Sequence, residues 1–123
     1  MNSYKTLEVW NLSMEIVREV YTLTKTYPIE ERYGLGGQTN RAAVSVPANI
    51  AEGMGRNFKK EKLQFLHISR GSAYELDTLL NIAKMIGLVD DQCYEAMGNK
   101  IESSIRMING LINYLKKQDS GMK

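Results

Sequence analysis

The chain is poor in the residues that reactive chemistry uses. Among its 123 residues there is one cysteine, Cys93, and one histidine, His67. A lone cysteine excludes an internal disulfide and reads as a small apolar side chain rather than a nucleophile. A histidine with no second histidine or cysteine at ligand spacing does not make a metal site, so His67 reads as a helix-surface or partly buried residue. No apolar run approaches the roughly 18 residues that span a bilayer. No basic-then-apolar leader precedes Tyr4, so the expectation is a cytoplasmic chain without a membrane partner. Lys and Arg outnumber Asp and Glu by 16 to 14, a net charge of +2, and so small an excess does not by itself argue for nucleic acid. Gly34, Gly36 and Gly37, and again Gly53 and Gly55, follow no strand and match no phosphate-binding fingerprint. They read as helix-end glycines. No nucleophile, base and orienting group are suggested together, so neither an enzyme nor a cofactor is expected.

What is present is an ordinary globular balance, 43% hydrophobic and 24% charged, at the usual length of one domain. The apolar residues recur at helical spacing. Leu7, Trp10, Met14, Val17 and Tyr21 form one line of a first helix, over about residues 6–27, and Val9, Ile16, Val20, Leu23 and Tyr27 form a second. Together they cover roughly 200° of its circumference, wider than one bundle seam needs. Pro28 ends it. A second helix is expected over 35–54, bent at Pro47 where one helical hydrogen bond is lost. A third spans 58–86 with Asn57 as a candidate N-cap, and its apolar arc is again roughly 200° wide. Gly87 stops it, and Asp90 or Asp91 caps a fourth over 91–117 with a narrower stripe. The tail from Gln118 to Lys123 is expected to fray. Short connections make this an all-α, up-down-up-down antiparallel four-helix bundle.

The second helix is the unusual one. Between two apolar stripes it carries Gln38, Arg41, Ser45, Asn49 and Glu52, with no other charge between Leu35 and Met54. A polar strip so flanked is expected inside, where its groups must be hydrogen-bonded or paired, within or between subunits. On the third helix Glu75 lies among Ile68, Leu79, Ile82 and Ile86. Folding the two helices about a turn near Arg56 sets Gln38 and Arg41 opposite Ser72 and Glu75, so a buried Arg41–Glu75 pair is expected, more often architectural than catalytic.

QTNRAAVSVPANIAEGMGR, followed by FLHISRGSAYELDTLLNIA, resembles the four-helix-bundle family of 23S rRNA-intervening-sequence proteins, which includes the accessory variability proteins of diversity-generating retroelements. The likeness runs from LEVW and YP in the first helix to LINYLKK in the last, and Arg41-Ala42-Ala43 with Asn49-Ile50-Ala51-Glu52-Gly53 carries it most specifically. The resemblance implies a small bundle without enzymatic activity that assembles as a ring-like homopentamer. It also implies, for retroelement members, work alongside a reverse transcriptase and nucleic-acid binding through basic surfaces. This chain is less basic than that subgroup.

Two functions follow as expectations. One is a non-catalytic, homo-oligomeric accessory protein that contacts RNA, DNA or a nucleic-acid enzyme; the other is an oligomeric scaffold for a protein partner. The alternating topology gathers Lys5, Arg56, Lys59, Lys60, Lys62, Lys116 and Lys117 at one end as the candidate nucleic-acid contact. Glu30, Glu31, Asp90 and Asp91 fall at the other.

Overall fold

The computed structural model describes residues 3–118; of the tail expected to fray, 119–123 lie outside the described residues. A 3-10 turn, Tyr4–Thr6, leads into α1 (Glu8–Thr24). There follow a single-turn α2 (Ile29–Arg32) and three long helices, α3 (Leu35–Met54), α4 (Lys59–Met85) and α5 (Asp91–Lys117). No strand occurs among the described residues. The fold is an all-α bundle of four long helices.

The helix ends obey local chemistry, with two departures from expectation. α1 stops three residues short of Tyr27, because the backbone ahead of Pro28 tightens first: Thr26 N donates to Leu23 O and Tyr27 N to Thr24 O. At α4 the N-cap position falls on Phe58, which offers no side-chain oxygen, and not on Asn57. Among the described residues, the α4 stop is the one place where a glycine adopts a positive φ. Gly87 has φ +85, and Leu88 N reaches back to Ala83 O at 2.8 Å, the left-handed closure that side chains disfavour. Asp90 then caps α5, accepting from Cys93 N at 2.7 Å.

Neighbouring long helices run antiparallel, and α1 closes the bundle against α5. α3 and α4 are tied by Ser69 Oγ donating to Val46 O at 2.8 Å and by a 2.8 Å bond between the Ser45 and Ser72 hydroxyls. α4 and α5 are tied by Arg70 to Asn109 and, toward the other end, by Tyr94 to Asp77. Across α1 and α5, Lys100 bridges Glu15 at 2.7 Å and also Glu19. The hydrogen bond and charge of Lys100 hold the Glu15 carboxyl below its usual range.

One core runs through all four. Val20, Ile50, Leu66, Leu80 and Ile108 are fully buried, drawn from α1, α3, α4 and α5. Its buried hydroxyls spend their protons close by: Ser13 on Trp10 O, Thr39 on Leu35 O, Ser104 on Ile101 O. Small buried polar residues therefore let helices approach without leaving unsatisfied groups. A second, smaller cluster of Tyr27, Ala83 and Val89 seals the end near α2, and burial raises the Tyr27 phenol above its ordinary pKa. Gly36 sits against it, where a Cβ would meet Glu31 O at 3.1 Å.

The closest approach is between α3 and α4. A Cβ added at Gly53 would lie 2.9 Å from Phe65 Cβ and 3.2 Å from Lys62 O. Neither is the far end of a flexible side chain, so the helices would have to part. Gly110, in the middle of α5, faces open space. The two substitutions should therefore differ in sign despite the same gain in helix propensity. Gly53→Ala is expected to destabilise by about 1–3 kcal/mol and Gly110→Ala to stabilise by about 0.5–1 kcal/mol, read from urea unfolding midpoints.

Candidate functional site

The register expected for α3 and α4 is present: Ser45 faces Ser72, which sets Arg41 near the level of Glu75. The expected burial is not found within the single chain. Gln38, Arg41, Glu52 and Glu75 are exposed, and only Ser45 and Asn49 are half-buried. Among the described residues Arg41 and Glu75 form no ion pair; the ion pairs found are Arg56–Glu52, Lys100–Glu15, Lys100–Glu19 and Arg106–Glu102. The correction has a physical cause. α3 buries Thr39, Ala42, Ala43, Val46, Ile50 and Gly53 among others, at Gly53 its backbone comes too close to α4 to admit a Cβ, and the long polar side chains are turned to the outer rim. Asn49 Nδ2 closes the inner edge by donating to Ser45 O at 2.8 Å and Ser45 Oγ at 2.9 Å.

Apolar residues share the outer surface with that strip. On α1 Met14 is 44% and Tyr21 42% exposed, on α3 Val44 is 41%, on α4 Ile68 is 46%, and at the α4 C-cap Ile86 is 50%. Tyr4, Trp10, Met14, Val44, Pro47, Ala48 and Ala51 line a shallow depression between α1 and α3. Met14, Tyr21, Ile68 and Ile86 are members of the two wide arcs of the first and third expected helices and Val44 flanks the polar strip of α3; all five stay exposed.

The candidate cations do collect at one end. Lys59 Nζ donates to Gln118 O and Lys62 Nζ to Met54 O, both at 3.1 Å, which places the start of α4 beside the ends of α3 and α5. Tyr4, next to Lys5, lies by Gly55 and Arg56. Three of the cluster, however, have structural work. Lys59 and Lys62 satisfy carbonyls at helix C-termini, where positive charge is favoured. Arg56 pairs with Glu52 at 2.8 Å and lies 4.8 Å over the Phe65 ring. Lys5, Lys60, Lys116 and Lys117 are exposed, so they are the part of the cluster that faces solvent.

Sequence spacing alone did not reveal His67 and Arg70 as a unit. Arg70 donates from one terminal nitrogen to Asn109 Oδ1 at 2.7 Å and from the other to His67 Nδ1 at 2.8 Å. Their separation of three on a helix was the available signal; Asn109 could not be foreseen without the α4–α5 contact. Burial, together with the charges of Arg70 and Lys116, lowers the His67 pKa. Cys93 is half-buried and its thiol is pushed up by burial and by Asp90, the opposite of what activates a thiolate. A groove of about 540 Å³ between α4 and α5 is lined by Tyr74, Asp77, Tyr94, Glu102 and Arg106 among others; Tyr94 is held in it by bonds to Asp77 and Asn81. Among the described residues no three His, Cys, Asp or Glu are grouped to hold a metal ion, and no helix is long and apolar enough to cross a membrane.

The class is thus an all-α helical bundle whose candidate surfaces lie on its outside. Residues 5–110 match the 23S rRNA-intervening sequence protein family, and the chain belongs to that family. The fold is similar to the crystal structure of a protein of unknown function from the S23 ribosomal protein family of Bacteroides thetaiotaomicron. The TM-score is 0.80 at 21% identity, over 85% of this chain and 95% of that one. No curated protein matches the chain.

Because Arg41 and Glu75 are solvated and unpaired within the chain, removing either leaves no buried charge behind. Arg41→Ala and Glu75→Ala are each expected to change the unfolding free energy of the isolated chain by less than about 0.5 kcal/mol. Urea unfolding at concentrations where the chain is monomeric is the check; a loss of several kcal/mol would put the pair back inside the bundle.

Proposed function

We propose that this protein is a non-enzymatic, homo-oligomeric accessory protein, a ring-like pentamer, that contacts RNA, DNA or a nucleic-acid enzyme such as a reverse transcriptase. The observation that carries the oligomer is the exposed apolar surface on three adjacent helices, Met14 and Tyr21 of α1, Val44 of α3, Ile68 of α4 and Ile86 at its C-cap, interleaved with the polar strip. Contiguous apolar surface of this kind on a small bundle favours burial against another protein surface. The hydrogen-bonding groups of Gln38, Arg41, Glu52 and Glu75 on the same outer side suit a mixed interface between copies. The subunit number comes from the family resemblance.

The nucleic-acid part rests on the lopsided placement of charge. The end with Lys5, Lys60, Lys116 and Lys117 is basic, whereas Glu30, Glu31, Asp90 and Asp91 lie at the other. In a ring of parallel copies the basic end would repeat around one rim, and repetition raises avidity even though each copy binds no more tightly. The second reading, a scaffold for a protein partner, takes first place if no nucleic acid is retained.

Light scattering is expected to give a mass about five times the chain's 14.0 kDa at micromolar concentration. A particle of one chain's mass would end the oligomer reading. Binding of a single-stranded oligonucleotide should weaken by orders of magnitude between about 50 and 200 mM salt. Replacing Lys5, Lys60 and Lys117 with Gln should lower the salt slope by about 1 for each phosphate that these lysines neutralise, with assembly unchanged.

A further inference from the structure

We infer that His67, Arg70 and Lys116 form an oxyanion site on the flank where α4 meets α5, built to hold a phosphate group. It rests on the nucleic-acid reading only for the source of that phosphate.

Arg70 is a cation held by side-chain acceptors on two helices without a carboxylate among them. Arg56 and Arg106 are each paired with a carboxylate four residues before them in the sequence, and Lys100 lies between two. The partners of Arg70 are neutral acceptors, the Asn109 amide oxygen and the His67 ring nitrogen. They fix the guanidinium in place without neutralising it. Only the two terminal nitrogens are engaged, so the remaining N–H donors of the fork stay available. A pre-positioned guanidinium with unspent donors is the geometry that phosphate oxygens match best.

The histidine adds a second donor. A guanidinium can only donate, so His67 Nδ1 must accept from Arg70, which puts the imidazole proton on Nε2. That N–H has no acceptor among the described residues, and His67 is exposed. Lys116 lies seven residues beyond Asn109, two turns along the same face of α5, on the flank where His67 sits, and its charge adds to that of Arg70 at the imidazole. No carboxylate is among the groups acting on the ring. Lys60 lies seven residues before His67, about 10 Å along the same face of α4. It links the site to the basic end and offers a neighbouring phosphate of an extended strand a contact.

An anion there would reverse the balance at the ring. Empty, the site holds two cations against His67 and favours the neutral imidazole. With phosphate bound, the imidazolium gains a counter-charge and Nε2–H donates to a phosphate oxygen; protonation of Nδ1 gives up its bond from Arg70, whose other terminal nitrogen is still held by Asn109. His67 is the single histidine of the chain, so its ring resonances report on this site alone.

The experiment is an NMR titration of His67 in the full chain at constant ionic strength, with chloride alone, with inorganic phosphate and with a short single-stranded oligonucleotide. Either phosphate source should raise the midpoint by about 0.5 or more over the chloride value. The rise should vanish in Arg70→Gln and shrink in Lys116→Gln, each compared with its own chloride titration because losing a cation itself moves the midpoint. A response to the oligonucleotide alone names a polynucleotide as the source; a response to both admits free phosphate. If neither probe moves the midpoint, or if Arg70→Gln responds as the parent does, the site is overturned. An oligonucleotide that binds by anisotropy while His67 stays unmoved removes the site and leaves the nucleic-acid reading standing. Phosphate that moves His67 while no oligonucleotide binds does the reverse.

Discussion

The outward-facing chemistry of this bundle depends on how closely α3 and α4 approach. Gly53 sits where even a methyl group would press on Phe65 and on the backbone of Lys62. Ala42, Ala43 and Val46 keep the rest of the seam thin, and the serine hydroxyls crossing it are satisfied by Val46 O and by each other. A seam this thin has no room for an arginine or a glutamate, since a buried charge needs space, a partner and further hydrogen bonds. The long polar side chains of α3 are therefore extruded to the rim of the groove. That one packing constraint turns what would have been an internal network into surface.

Charge at the two ends has a comparable economy. Each helix C-terminus at the basic end presents carbonyls that need donors. Lys62 and Lys59 supply them for α3 and α5, so these lysines close the fold before they can do anything else. Arg56 is likewise drawn down over Phe65 and toward Glu52. The positive charge left facing solvent is smaller than a count of lysines suggests, and it runs up the side of the bundle along α4 and α5, toward Arg70, as well as across its end.

The apolar surface completes the picture. A four-helix bundle consumes one seam per helix, and α5 has little more than that, with Met97, Ile101, Ile108, Ile112 and Leu115 buried in a single stripe. α1 and α4 carry wider arcs, and their surplus is what stays exposed at Met14, Tyr21, Ile68 and Ile86. Membership of the 23S rRNA-intervening sequence family and a shared fold at 21% identity fix the architecture of the chain. They leave its partners to be read from these surfaces.

The four long helices, their order and the alignment of α3 with α4 are legible in the amino acids alone; the single turn of α2 is not. Periodicity of apolar residues, Pro28, Gly87 and Asp90 act locally, within one or two helical turns, and local causes can be read in one dimension. The level of Arg41 near Glu75 and the gathering of lysines at one end are legible too, because antiparallel helices joined by short turns leave little choice. Which side of a helix is inside was settled only by packing in three dimensions. The strip from Gln38 to Glu52 has the spacing of a buried face and is nonetheless largely solvated, because burial depends on the distance between two backbones, which small residues beside the strip on the same helix set. The same reason hid the setting of Arg70: Asn109 lies 39 residues away, and a contact between helices has no signature in the spacing of either one.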